Sequence, residues 1–237
     1  MKASGLALYS NLNYISPMTI SRNISVELFI ATGCAYCPVV LSALSDLLKN
    51  GQLASLNITN IAVSPEKAEA LNIRSVPWFS LSSQYSHMIF SGNYSPNEIS
   101  HWVTAAQSDN GMQEYIEKFL ADGHLPQVLQ AIQLQPETFS SVITMLEDED
   151  TSMHVRIGLD ALLENFTSSD ILKQYTPSFK SMATKENIRL QIDALHYLAL
   201  TGDPENRSFI QKMTNDKNEQ IRDAAEEALE TLQDLLS

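Results

Sequence analysis

The sequence predicts an α/β domain followed by an all-α solenoid, an α–α superhelix. Three observations predict it. Up to about residue 107, short β-branched and aromatic runs alternate with helical segments. After "SDNG" (Ser108 to Gly111) no strand pattern remains. Beyond that point, one helical pattern recurs every 33 residues. The expected domains are 1–110 (core about 24–107, N-terminal extension 1–23) and 111–237.

In order, "ISVELFIA" from Ile24 is a strand, rich in β-branched and aromatic residues. A helix over about residues 35–49 follows and ends at "NG". "LNITNIAV" is a second strand. "SPEKAEAL" opens a short helix, with a Ser cap, a proline at the first helical position and acids in the first turn. "VPWFSL" and "HMIFSG" form an antiparallel pair. "SPNEISHWVTAAQ" closes the series with a second Ser-Pro start. Strands alternating with helices imply a sheet covered on its faces.

In the second half, "HVRIGLDAL" from His154, "NIRLQIDAL" from Asn187 and "QIRDAAEEAL" from Gln220 align without gaps. Arg156, Arg189 and Arg222 keep the register, as do Asp160, Asp193 and Glu226. Val155, Ile188 and Ile221 also keep it, and so do Leu159, Ile192 and Ala225. Apolar positions at i, i+4 and i+7 lie on one helix face. A shorter helix precedes each copy, at about 136–146, 169–182 and 204–213. Such helix pairs bury their apolar faces only by stacking on one another. The repeats are expected at about 135–167, 168–201 and 202–237, with 112–133 as a degenerate capping pair. The pattern resembles HEAT repeats. That resemblance implies an interrepeat ladder of hydrogen bonds from Asp150 and Arg156, and from Asp216 and Arg222. Ala183 stands where the middle Asp would be.

Composition narrows the function classes. The chain is 44% hydrophobic and 18% charged, enough apolar content for a packed core. No apolar window is long enough for a membrane span. Ser and Asn break the apolar run at the N-terminus, so no secretory leader is expected, and the expected location is cytoplasmic. Of the net charge of −13, residues 1–111 hold five Lys/Arg against six Asp/Glu, and residues 112–237 hold ten against twenty-two. The acidic half should repel nucleic acid and anionic lipid. Its charge either steers basic partners or only keeps the domain soluble.

The two cysteines, Cys34 and Cys37, lie in "FIATGCAYCPVVLSAL". Cys34 follows an apolar strand and is expected in the first turn of the next helix, where free N–H groups and the positive dipole end favour a thiolate. Cys37 is close enough to pair with it. A zinc site normally needs four ligands, and the five histidines supply no pair at ligand spacing. Two incidental buried thiols are the other alternative, disfavoured by the strand–CxxCP–helix order.

"FIATGCAYCP" followed by "RSVPWF" and "SGNYSPNEI" resembles the thioredoxin superfamily over about residues 24–107. The resemblance implies a cis peptide bond at Val76–Pro77 beside the cysteines. It implies a substrate groove bordered by Tyr36, Val76, Pro77 and Gly92, with Cys34 as attacking thiolate and Cys37 as resolving thiol. The chain would then be a thiol–disulfide oxidoreductase that needs no cofactor, only a protein thiol or disulfide substrate and a redox partner. Leu28 stands where the family's buried Asp would be, and Glu27 should point to the opposite side of the strand. Trp78 replaces the Thr usual after the cis-proline. "SGNYS" lacks the GG-x-D that binds glutathione in glutaredoxins. The competing expectation is a non-catalytic scaffold, in which both halves are docking surfaces for proteins.

Overall fold

The computed structural model describes residues 24–237. The expected extension at 1–23 lies outside the described residues. The chain forms β1 (Ser25–Ile30), α1 (Cys37–Lys49), β2 (Ser55–Asn60), α2 (Pro65–Ala70), β3 (Trp78–Ser82), β4 (His87–Ser91) and α3 (Pro96–Ala105). From there it is helical: α4 (Gly111–Ala121), α5 (Leu125–Leu134), α6 (Phe139–Glu147), α7 (Met153–Glu164), α8 (Asp170–Gln174), α9 (Thr176–Met182), α10 (Ile188–Leu200), α11 (Arg207–Met213) and α12 (Glu219–Leu236). Short 3-10 turns at Pro136–Thr138 and Pro204–Asn206 lead into α6 and α11. No helix among the described residues is long and apolar enough to cross a membrane.

The four strands make one mixed sheet in the order β2-β1-β3-β4. β1 runs parallel to β2 and antiparallel to β3, and β3 and β4 are antiparallel. Register and the two-residue pleat sort the side chains. Val26, Leu81 and Met88 form one row, and Leu28, Phe79 and Phe90 the next. All six are fully buried. Glu27 pairs with Ser80 on the opposite face, is exposed, and accepts a hydrogen bond from Asn57 Nδ2 at 2.8 Å.

Cap chemistry sets the helix starts unequally. Ser95 makes a reciprocal capping box with Glu98 at the start of α3. Ser64 precedes Pro65 in the same way but makes no side-chain cap bond to α2.

The hydrophobic core runs unbroken from Ile24 to Leu232 and crosses the boundary expected near residue 110. α4 and α5 are the reason. Phe90 on β4 meets Trp102 of α3 and Tyr115 and Phe119 of α4, at ring separations of 5.5, 5.7 and 5.8 Å. The Tyr115 hydroxyl donates to the Ile89 carbonyl (3.0 Å) and accepts from the Ile89 N–H (3.2 Å). Among the described residues β4 is an edge strand, and these groups have no strand partner on that side. One phenol satisfies both and blocks the edge. α5 also packs against β4.

Farther along, the helices that carry the 33-residue register are α7, α10 and α12. The side-chain bonds differ from the expected Asp–Arg ladder. Arg156 is buried and donates to backbone carbonyls of Leu146, Asp148 and Thr151, where α6 ends. Its guanidinium therefore neutralises the negative end of that helix. Its carboxylate neighbour is Asp193 of the next unit, at 3.8 Å. Asp150 donates its N–H to the Asp148 carboxylate, and among the described residues Arg156 makes its hydrogen bonds to carbonyls instead. Arg222 donates to the carbonyls of Asp216 and Lys217, not to the Asp216 carboxylate. Adjacent units are tied by Arg189 to the Glu149 carbonyl (3.3 Å) and by the Lys185–Glu147 ion pair (3.0 Å).

Candidate functional site

β1 ends at Ile30 in the middle of the sheet and delivers the chain to the loop before α1. Gly33 turns that loop at φ +81, a left-handed conformation that glycine adopts without strain. The Cys34 N–H closes the turn on the Ala31 carbonyl at 3.3 Å. α1 begins at Cys37, two residues later than expected, with Tyr36 as its N-cap. Cys34 thus precedes the helix and does not sit in its first turn.

Cys34 is nevertheless held by that helix. The N–H of Cys37, the first helical residue, donates to Cys34 Sγ at 3.1 Å. Tyr36 supplies no side-chain cap bond, so the sulfur takes the place of a capping oxygen. Cys34 and Cys37 form a disulfide, with Cα atoms 5.5 Å apart. Cys34 is half-buried, whereas Cys37 is only 4% exposed. An incoming group therefore meets Cys34 first.

The second wall is the segment before β3. The Val76–Pro77 peptide bond is cis. The Val76 carbonyl oxygen lies 3.6 Å from Cys34 Sγ. The Pro77 carbonyl accepts the N–H of Gly92 at 2.9 Å, and Gly92 has φ +103. Ser75 and Ser91 join their hydroxyls at 2.8 Å beside it. The structure thus brings Cys34, Cys37, Val76, Pro77 and Gly92 into one linked constellation. Tyr36 stands on its rim, 54% exposed. Trp78 belongs to the core: it is buried and meets Phe29 edge-on at 5.4 Å. Leu28 is fully buried on the sheet, so an apolar side chain occupies the position just ahead of the loop.

The chemistry open to this arrangement is exchange at sulfur. In the reduced state, the Cys37 N–H and the helix N-terminus would stabilise negative charge on Cys34. Among the described residues, no group of three or more His, Cys, Asp or Glu side chains is placed to hold a metal ion.

A second concave feature lies between α7, α10 and α12. A groove of about 460 Å³ is lined by acidic Asp160, Glu164, Asp193 and Glu227, with His196 and Tyr197. The Tyr197 hydroxyl donates to the Asp160 carboxylate. Burial, and then the adjacent Asp160 charge, raise the Asp193 carboxyl above its ordinary range, against the pull of Arg156. Sequence reasoning found the charge of this half but not its convergence, because which carboxylates share a groove depends on how the helices stack.

Sequence reasoning did not single out Val39 and Pro96, which come from different helices and line one open surface with Pro38. The legible signal was a valine at an outward helix position directly after "CP". Compared with known proteins, the chain matches no family model and no curated protein.

Proposed function

We propose that the chain is a thiol–disulfide oxidoreductase, built on a thioredoxin-like domain and extended by HEAT-like repeats that bind a protein partner. The observation that carries this reading is the disulfide itself. The half-buried member, Cys34, accepts a helix-terminal N–H, and the more shielded member, Cys37, lies behind it. That asymmetry gives the two sulfurs different tasks.

In the reducing direction, the Cys34 thiolate attacks one sulfur of a protein disulfide. A mixed disulfide forms and the other substrate sulfur leaves as a thiolate, which takes a proton from water. Cys37, on losing its proton, attacks Cys34 Sγ. The Cys34–Cys37 disulfide forms and the second substrate thiolate departs. Two electrons pass to the substrate, and a dithiol partner, itself oxidised to a disulfide, supplies two to the Cys34–Cys37 pair by the reverse sequence. No cofactor enters this scheme. A reducing compartment such as the cytoplasm suits a lone CxxC used in this way.

The test is turnover of a protein disulfide with a dithiol as reductant. The wild-type protein should show it, and Cys34→Ser should lose it while Cys37→Ser accumulates the mixed disulfide. Undiminished turnover in Cys34→Ser would exclude the reading.

The acidic groove between α7, α10 and α12 favours a second reading, a scaffold that docks proteins without redox chemistry. In that case Glu164→Lys with Glu227→Lys would abolish complex formation, and replacing both cysteines by serine would leave it intact.

A further inference from the structure

The segment that leads from α2 to the cysteines is held at its start by α5. α2 closes in a tight turn, in which the N–H groups of Asn72 and Ile73 return to the carbonyls of Glu69 (3.0 Å) and Ala68 (2.8 Å). Asn72 takes a left-handed φ of +53, as residues just past a helix end often do. The Leu71 carbonyl accepts the side-chain N–H of Gln130, on α5, at 2.6 Å. Gln130 is half-buried. Leu71, Ile73 and Val76 pack against the same core as Val128, Ala131 and Ile132 of α5. The next side-chain tie is the Ser75–Ser91 hydroxyl pair, which is exposed and competes with water. Val76 follows, with its carbonyl oxygen 3.6 Å from Cys34 Sγ.

We propose that Gln130 is a positioning residue for the exchange site. Through the Leu71 carbonyl, α5 fixes the segment that sets the Val76 carbonyl against the Cys34 sulfur. The proposal rests on the exchange reading above, in which Cys34 is the attacking sulfur. The effect has a definite sign. The Cys37 N–H, 3.1 Å from the sulfur, favours a thiolate there. The Val76 carbonyl carries partial negative charge and accepts but does not donate, so it favours the protonated thiol. Their balance sets how much of the reactive thiolate is present. Released from Gln130, the segment samples positions with that carbonyl farther from the sulfur, and the balance moves toward thiolate. Arg74, the charged residue of the segment, is exposed and enters the test as a control.

The experiment uses the reduced full chain and follows iodoacetamide alkylation of Cys34 and Cys37 separately by mass spectrometry, at a pH on the rising part of the Cys34 rate profile. Gln130→Met removes the donor and keeps the side-chain length. Cys34 should then react about threefold faster, with Cys37 unchanged. Gln130→Lys, which keeps an N–H donor, should return the wild-type rate. Gln135→Met is the structural control. Gln135 donates to the Ser83 carbonyl at 3.0 Å, beyond the end of β3 remote from Pro77, so its loss should leave both cysteines unchanged. An unchanged Cys34 rate in Gln130→Met, equal acceleration of both cysteines, the same acceleration in Gln135→Met, or failure of Gln130→Lys to restore the rate overturns the inference. So does an acceleration that disappears in an Arg74→Gln background, which would assign it to that guanidinium. Alkylation needs no turnover, so these outcomes are separate from the exchange reading, which fails if the wild-type protein reduces no small aromatic disulfide.

Discussion

His87 starts β4 with its Nδ1 atom 2.8 Å from the Ser82 hydroxyl, while Nε2 is buried with no hydrogen-bond partner among the described residues. Burial lowers its pKa from 6.5 to about 4. The folded protein therefore holds a neutral imidazole through a range in which the unfolded chain takes up a proton. Stability is complete above pH 6.5, is lost as pH falls below that, and levels off below about 4. Between pH 7 and pH 5 the loss should be about 2 kcal/mol. Urea unfolding at those two pH values measures it, and His87→Asn should remove the difference. An equal loss in the variant would assign the effect to other groups. The residue scale also marks where sequence reasoning reached its limit at the cysteines. Cys34, Cys37, Val76, Pro77 and Gly92 could be picked out from motifs, because the chemistry constrains residue types. The source of the N–H on Cys34 could not, because it depends on α1 starting two residues late.

Among the elements, β4 depends most on something outside the sheet. Its outward Ile89 N–H and carbonyl are satisfied by one Tyr115 hydroxyl on α4. Tyr115→Phe keeps the ring against Phe90 and removes only the oxygen, leaving two buried backbone groups without a partner. The expected loss is about 2 to 4 kcal/mol in chemical denaturation, the sum of two desolvated groups. The Ile89 amide should also exchange with solvent faster. An unchanged midpoint with unchanged protection would mean that water replaces the phenol at no cost. This dependence was not legible in the sequence. "MQEYIEKFLADGHL" shows an amphipathic helix, but no local pattern says that its tyrosine serves a strand some 26 residues earlier. The strands were legible, because alternating β-branched residues and Ser-Pro helix starts act locally. The Asp–Arg ladder was misread for the complementary reason. Arg156 is surrounded by the carbonyls that end α6, and these satisfy its donors where Asp150 was expected to.

For the whole molecule, the question is whether the sheet can stand without the helices after residue 110. The change from strands to helices at that point is plain in the sequence, and it invites a cut there. The packing argues otherwise. Removing residues 111–237 would uncover Phe90 and Trp102, strip the partner from Ile89 and take α5 off β4. It would remove Tyr115, Ile116, Phe119, Val128 and Ile132 from one continuous core. At about 1.5 to 3 kcal/mol for each large buried side chain, five such losses match or exceed the whole stability of an ordinary domain. A fragment ending at Asn110 should therefore be unfolded or aggregated, with no fixed near-ultraviolet dichroism. The full chain should lose its sheet and its α4–α5 helices in a single transition by every probe. Trp78 and Trp102 report directly on the sheet side of that boundary. If the 1–110 fragment instead unfolded cooperatively at the temperature of the full chain, α4 and α5 would be mere lodgers on β4. Coincident unfolding would mean that anything bound on α4 or α5 stabilises the fold that carries the cysteines, because any ligand of the native state alone raises the stability of the unit that melts with it.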